Sequence, residues 1–269
     1  MLEQIIEHKR LEIVRKKAFC PLERVKAAIG LAPPVRNFAA GLRQPGKIAV
    51  IAEIKRASPS KGPIRPDADP VAVAETYAAA GAAAISVLTD ERFFCGHPGF
   101  LGAVRRVVGL PLLCKDFILD PYQIYEARFL GADAVLLIVR LLRQRELVEF
   151  IALARALGME CLVEVHTRDD VQRALDAGAA VIGINNRDLQ TFTTEIKTTL
   201  RLIHHIPPEV IVVSESGISS PLAMRTLREH GVDAVLVGEA LMTAEDIATK
   251  LQELIAAGAS PEERGRIKF

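Results

Sequence analysis

The chain has 269 residues, half of them hydrophobic and a quarter charged, with a formal net charge of +1. That describes a globular chain with ample core, near the usual size of one α/β barrel. The near-neutral balance gives no bulk electrostatic case for nucleic acid or an anionic membrane surface.

In chain order, the N-terminal MLEQIIEHKR lacks the apolar core of a signal peptide. The longest apolar window, Ala78 to Leu88, is far shorter than the ~20 residues of a membrane helix. A cytoplasmic protein is expected. The basic run HKRLEIVRKK is interleaved with acidic and apolar residues and reads as a solvated helix face. Two helical stretches, Leu2 to Phe19 and Leu22 to Ile29, precede PPVRNFAAGL. Residues 1–47 thus form a helical extension, either a plug under the domain that follows or a cover over its active end.

From residue 48 onward one pattern recurs. A helical stretch ends in glycine, at Gly81, Gly131, Gly178 and Gly231, and a β-branched run follows at once. Each interval fits two strand–helix units, and GLPLLCKDF, MECLVEVH and EVIVVSESG supply the intervening strands. With the opening IAVIAEI there are eight, near 48–54, 83–88, 111–115, 133–139, 160–165, 180–185, 209–214 and 233–237. Helical patterns separate them, several with caps such as Asp120, Thr167 and Ser220, and with Pro121 and Pro221 in first turns. Strands apolar on both faces, alternating with helices, mean a parallel sheet covered by helices. Eight units favour a closed (β/α)8 TIM barrel over residues 48–258, with 259–269 as a C-terminal tail. An open doubly wound sheet would normally show GxGxxG after its first strand, and none is present.

Polar residues end these strands. Glu53 and Lys55 share the side of Ile51, while Ala52 and Ile54 point the other way. A carboxylate and an amine have no place against the helices without partners, so the pair faces the barrel axis near its rim. The same parity puts Lys115 with Leu113, Glu164 with Leu162, Asn185 with Gly183, and Glu215 with Val213, with Ser216 next in line. One buried ion pair has a structural explanation; two lysines and three carboxylates converging on one volume point to acid–base chemistry with displaced pKa values.

Glycines in the last two strand–helix loops, Gly217 and Gly238, suit backbone binding of phosphate, with Lys55 as a cation. Arg187 either assists there or pairs with Asp188 on the surface. Phe93, Phe94 and Phe117 sit in loops after the second and third strands, where rings cover a ligand or pack locally. Cys20, Cys95, Cys114 and Cys161 show no CxxC and read as free thiols, the latter two buried in strands. No metal-ligand grouping is visible, and adjacent His204 and His205 read as surface residues.

These pieces resemble the indole-3-glycerol-phosphate synthase family. The resemblance runs from the N-terminal helices to Leu241 and rests on AEIKRASPSKG (52–62), SVLTDERFFCG (86–96), KDFILDPYQIYEAR (115–128), ADAVLLIV (132–139), LVEVH (162–166), IGINNRDL (182–189) and SESGI (214–218). It implies a small phosphosugar substrate, 1-(2-carboxyphenylamino)-1-deoxyribulose 5-phosphate. The ring closes onto the ketone carbon, with loss of CO2 and then water, and with no cofactor or metal. It implies a catalytic set of Glu53, Lys55, Lys115, Glu164, Asn185, Glu215 and Ser216. Lys115 would protonate the ketone oxygen and Glu164 would serve the dehydration. Glu53 would hold a lysine charged and in place, and Asn185 would orient a carboxylate or hydroxyl. Lys55 has two roles open, gripping an anion or acting as an acid. Phe94, Phe117 and Pro59 would pack the aromatic ring. Ser58 lies in the SPSKG loop that would close over substrate. Ser216, Gly217 and Gly238 would meet phosphate, with Arg187 near it. Some members have Gly-Ser where this chain has Gly238-Glu239, so a serine hydroxyl is missing there. The expected partner is the phosphosugar alone, with no nucleic acid or membrane, and the protein a monomer with a weak homodimer as the alternative. Two rivals stand beside this reading: a Schiff-base aldolase using Lys115 or Lys55, and a non-catalytic phosphosugar-binding barrel.

Overall fold

The computed structural model describes residues 2–188 and 193–260. Among the described residues, eight parallel strands form the barrel: β1 (Lys47–Ile54), β2 (Ala84–Leu88), β3 (Leu112–Lys115), β4 (Ala134–Ile138), β5 (Glu160–Val165), β6 (Val181–Asn185), β7 (Ile211–Glu215) and β8 (Ala234–Val237). β1 closes the ring by pairing on both sides: Ile51 lies opposite Ala84 of β2 and Leu236 of β8. The glycines that end the preceding helices have φ of 94°, 93°, 79° and 80° at Gly81, Gly131, Gly178 and Gly231. This left-handed turn is open to glycine at little cost and aims the chain directly into the next strand.

Alternation along the strands makes two apolar layers. Val50, Ala52, Ile54, Val135 and Leu137 face the helices. Ala49, Ile51, Leu113, Leu162 and Val213 fill the barrel interior. The elements differ from expectation where the chain turns early. β7 starts at Ile211 rather than 209, because the Val210 N–H closes a turn onto the Pro207 carbonyl. The helix before β7 is short, spanning only Lys197–Leu202, followed by a 3-10 turn at Ile203–His205, because the Glu195 N–H is tied back to the Asn186 carbonyl. Two short helices, Glu91–Phe94 and Glu239–Met242, occupy segments expected to be loops.

The extension performs both tasks that its sequence left open. Its helices are α1 (Leu2–Phe19), α2 (Leu22–Ala28) and α3 (Phe38–Leu42). Phe38 and Leu42 of α3 are fully buried in the interior cluster beside Ala49, which plugs the barrel bottom. Each such burial contributes about 1.5–3 kcal/mol. Near that end Asp133, at the start of β4, accepts from the Arg36 N–H (2.6 Å), the Arg105 guanidinium (2.6 Å) and the Leu112 N–H (2.8 Å). α1 lies at the opposite, C-terminal mouth, where Leu2 and Ile5 line the main cleft.

The HKRLEIVRKK run is a solvated face only in part: Arg10 and Arg15 are exposed, but other lysines of the run are taken up by partners. Lys9 has no exposed surface, and its ammonium lies 2.9 Å from Asp90, 2.8 Å from Asp116 and 2.9 Å from Glu12. Burial pulls the Lys9 pKa down, but Asp116 and Asp90 outweigh it and hold it well above the ordinary lysine value. Lys16 pairs with Glu126, and Lys17 with Asp120. The alternation of signs was visible in sequence; that the acidic partners come from the barrel's own loops was not. Cys114 and Cys161 are buried and all four cysteines are free, as expected.

Lys9→Ala leaves Asp90 and Asp116 facing each other in a buried site. It should lower unfolding stability by about 3–5 kcal/mol. Urea titration followed by circular dichroism reads this directly; an unchanged midpoint would contradict the ion cluster.

Candidate active site

Strand parity brings the polar strand ends to one place. The Lys115 Nζ, at the end of β3, lies 2.6 Å from Glu215 Oε2 on β7 and 4.0 Å from Glu164 Oε2 on β5. Lys55, just past β1, lies 3.3 Å from Glu53 Oε2. Glu53, Glu164 and Glu215 are each under 5 % exposed. β1 is anchored at this point by Tyr77, whose buried hydroxyl donates to the Glu53 carbonyl at 3.0 Å. Asn185 ends β6; its Oδ1 accepts from the Arg187 N–H at 3.0 Å, and its amide stands beside Glu164.

Two glycines make room for the carboxylates. A Cβ on Gly183 would sit 2.1 Å from Glu215 Oε1, and one on Gly238 would sit 2.7 Å from Glu53 Oε2. Gly183 was used in sequence only to mark strand parity, and its spatial role emerges from the packing. Gly238, expected at the phosphate end, lines that part of the cleft and also cradles Glu53.

The charges are interdependent. Burial pushes the Glu215 carboxyl up, Lys115 opposes this and Glu164 adds to it, leaving Glu215 at about 7. Burial likewise raises Glu164, against the pull of Lys115 and Asn185. At Glu53 burial pushes upward too, but Lys55 and Lys115 outweigh it and hold the carboxyl below its ordinary range. Lys115 is pulled down by burial, yet Glu215, Glu53 and Glu164 prevail and hold it above the ordinary lysine value. Lys115 is therefore an ammonium near neutral pH, between one firmly ionised carboxylate and two that favour retaining a proton.

The cleft has two halves that share Glu53, Lys55, Ser60, Lys115, Arg187 and Ser216. One half is apolar, walled by Leu2, Ile5, Leu88, Phe94, Phe117 and Ile138, with Ser58 and Pro59 at its edge. The Phe94 and Phe117 rings stand 6.0 Å apart at 41°. Phe93 lies outside, edge-on to His8 and beneath Arg92, so local packing is its role. The other half is polar: Lys61, Ser216, Gly217, Ser219, Gly238 and Glu239 border it. Ser216 and Gly217 have successive left-handed φ values of 67° and 76°, and the Asn186 amide donates to the Ser216 carbonyl at 3.0 Å. Arg187 donates to Ser60 Oγ at 2.7 Å and to Glu239 Oε2 at 3.1 Å.

The structure thus gathers every residue singled out from the strand ends. It adds several that sequence reasoning missed. Asp116 borders the apolar half, holds Lys9, and accepts from Thr89 Oγ1 at 2.6 Å. Its position directly after Lys115 was a visible signal. His166 lies 3.5 Å from Glu164; burial, with Arg140 nearby, pulls it down to about 4, so it is neutral. Leu2 and Ile5 had no local signal, since nothing in α1 states which end of the barrel it covers. Among the described residues no helix is long and apolar enough to cross a membrane, and no group of three His, Cys, Asp or Glu is placed to hold a metal ion.

A closed (β/α)8 barrel with desolvated acids and lysines at the C-terminal ends of its strands is the framework of an acid–base enzyme. The sequence profile of indole-3-glycerol phosphate synthase matches residues 2–254. A relative of that name from Roseiflexus castenholzii is 52% identical over 262 residues, covering 94% of this chain and 97% of its own. Another from Acidithiobacillus ferrooxidans is 51% identical over 257 residues, covering 94% and 98%. Among solved structures, a 3-hexulose-6-phosphate synthase matches with a TM-score of 0.64 at 15% identity, covering 79% of this chain and 100% of its own, which is a likeness of fold. The chain belongs to the indole-3-glycerol phosphate synthase family, whose members are carboxy-lyases of tryptophan biosynthesis.

Two outcomes test this geometry. Carbon-13 NMR of labelled glutamates should show Glu215 titrating at about 7, and Lys115→Met should move that midpoint further up because the opposing ammonium is gone. A Glu215 midpoint typical of exposed glutamates would contradict the arrangement. Gly183→Ala should push the Glu215 carboxylate off Lys115 and cut turnover about a hundredfold, the scale expected for an ångström of misplacement. Circular dichroism should show the fold retained.

Proposed function

We propose that this chain closes the indole ring of indole-3-glycerol phosphate from 1-(2-carboxyphenylamino)-1-deoxyribulose 5-phosphate, using Lys115 as the first acid. The observation that carries the reading is the two-part cleft with a carboxylate-bound ammonium at the junction of its apolar and polar halves. An aromatic ring fits against Phe94 and Phe117, and a phosphate fits among Lys55, Arg187 and the backbone of Ser216, Gly217 and Gly238. The reacting carbons then lie at the junction.

The ring carbon bearing the carboxylate attacks the ketone carbon. Lys115 delivers a proton to the ketone oxygen as charge develops there. Glu215, 2.6 Å behind it, is poised to return a proton to the lysine. Cleavage of the C–COO bond releases CO2 and restores the aromatic ring. The new hydroxyl then leaves as water while a base removes the proton from the carbon next to nitrogen. Glu164 fits this exchange because burial raises its pKa above the ordinary glutamate value, which favours holding and then releasing a proton. The overall reaction takes up one proton, since a carboxylate leaves as neutral CO2. Glu53 holds Lys55 in place, and Asn185 orients Glu164. Ser58 and Pro59 belong to the loop that closes on substrate. The enzyme is cytoplasmic and acts as a monomer on this small phosphosugar.

A Schiff-base aldolase needs a neutral lysine nucleophile, whereas Lys115 is held charged, which favours the acid role. The test is the appearance of indole fluorescence on mixing protein and substrate with EDTA present. Lys115→Ala and Glu164→Gln should each lower the rate by about 10²–10⁴. Borohydride should trap no lysine adduct. Binding without turnover by the folded wild type would overturn the proposal, and a trapped adduct would replace it with the aldolase.

A further inference from the structure

Glu239 stands directly after Gly238 at the polar half of the cleft, about one-third exposed. Its two oxygens serve two cations from different loops: Oε2 lies 3.1 Å from Arg187 Nη2, and Oε1 lies 3.5 Å from Lys61 Nζ. Arg187 reaches on to Ser60 Oγ at 2.7 Å. One carboxylate and one guanidinium therefore tie three segments together: the SPSKG loop after β1, the loop after β6, and the start of the helix Glu239–Met242. Burial pushes the Glu239 carboxyl up, but Arg187 and Lys61 outweigh it and hold it below the ordinary range, so it is ionised at neutral pH.

Besides Lys115, which Glu215 holds, three cations, Lys55, Lys61 and Arg187, border this half of the cleft. Glu53 neutralises the first, and Glu239 bridges the other two. A phosphate bound there would draw on the same Arg187, with Lys61 within reach at the rim. It would also sit beside the Glu239 charge, which repels it.

We propose that Glu239 is an internal competitor for phosphate: it occupies Arg187 and Lys61, fastens the SPSKG loop through them, and is displaced when the substrate's phosphate takes those cations. The proposal rests on the phosphosugar reading above and adds a specificity-determining residue to it. A dianionic phosphate, with more charge and more acceptor oxygens than a carboxylate, can win the exchange; a weakly charged or unphosphorylated sugar cannot. Discrimination then comes from what must be displaced as well as from what is gained. The pair is partly exposed, so its effect is modest in scale.

The probe is inorganic phosphate, titrated by calorimetry into wild type, Glu239→Gln, Arg187→Gln and the double variant. Glu239→Gln should bind phosphate about threefold to tenfold more tightly, with KM for the phosphosugar falling in parallel and kcat unchanged within about twofold. Arg187→Gln should weaken phosphate binding and remove most of the gain from Glu239→Gln, the signature of one shared cation. Hydrogen exchange of residues 57–64 should quicken in Glu239→Gln without phosphate. Equal phosphate affinity in wild type and Glu239→Gln would reduce the contact to a surface ion pair and overturn the proposal. Weaker binding in Glu239→Gln would overturn it in the other direction, making Glu239 an aid that orients Arg187. Phosphate binding is read without turnover. A wild type that binds phosphate but forms no indole product would therefore sink the functional reading while leaving the competition measurable. No phosphate binding by any variant would overturn the competition proposal, while indole formation would still decide the functional reading.

Discussion

The Lys115 ammonium is the charge on which the centre of the barrel depends. Three carboxylates lie within its field, each desolvated at a cost of several kcal/mol. Only one cation reaches Glu215 at hydrogen-bond distance among the described residues, and that is Lys115. The carboxylates in turn keep the lysine charged despite burial. Remove any member and the protonation of the rest changes, so acidity in this site belongs to the group rather than to one side chain. The backbone serves the same end. Gly183 and Gly238 lack the Cβ that would fill the space taken by Glu215 and Glu53.

Much of this was legible because strand geometry is periodic. Once β1 is a strand with Ile51 facing inward, Glu53 and Lys55 must follow, and the same parity places Lys115, Glu164, Asn185 and Glu215. The glycine that ends each helix marks the next strand with little ambiguity, because a left-handed turn is strained for most other residues. What could not be read lies in non-periodic contacts. Lys9 looks like any helix-surface lysine until Asp90 and Asp116 are brought against it from loops about a hundred residues away in the chain. Glu239 likewise acquires meaning from Arg187 and Lys61, which share no local pattern with it. The shortened helix at Lys197–Leu202 follows from a backbone hydrogen bond to Asn186 that helix periodicity does not encode.

The extension and the barrel are joined by buried charge at both ends. Lys9 fastens α1 to the loops that carry Asp90 and Asp116, and Asp133 receives the Arg36 N–H near the plug formed by α3. Those same loops present Phe94 and Phe117. The aromatic wall of the cleft is therefore set partly by a helix that contributes no catalytic group. Asp116 links the two directly: it holds Lys9, accepts from the Phe117 N–H, and follows Lys115 in the chain.

The placement of the described chain ends has a practical consequence. Leu2 borders the cleft at the upper mouth, whereas Ala259 bridges Lys47 and the Ser260 N–H donates to the Gly46 carbonyl at the lower one. Leu2 thus stands at the catalytic face and Ser260 on the reverse face. A domain or affinity tag joined ahead of Leu2 would emerge beside the aromatic pocket and compete for its space. The same addition after Ser260 would hang beneath the barrel, a full strand length from the chemistry. Leu2 and Ser260 are therefore not equivalent points of attachment, and cargo placed beside Ser260 starts on the side away from the substrate.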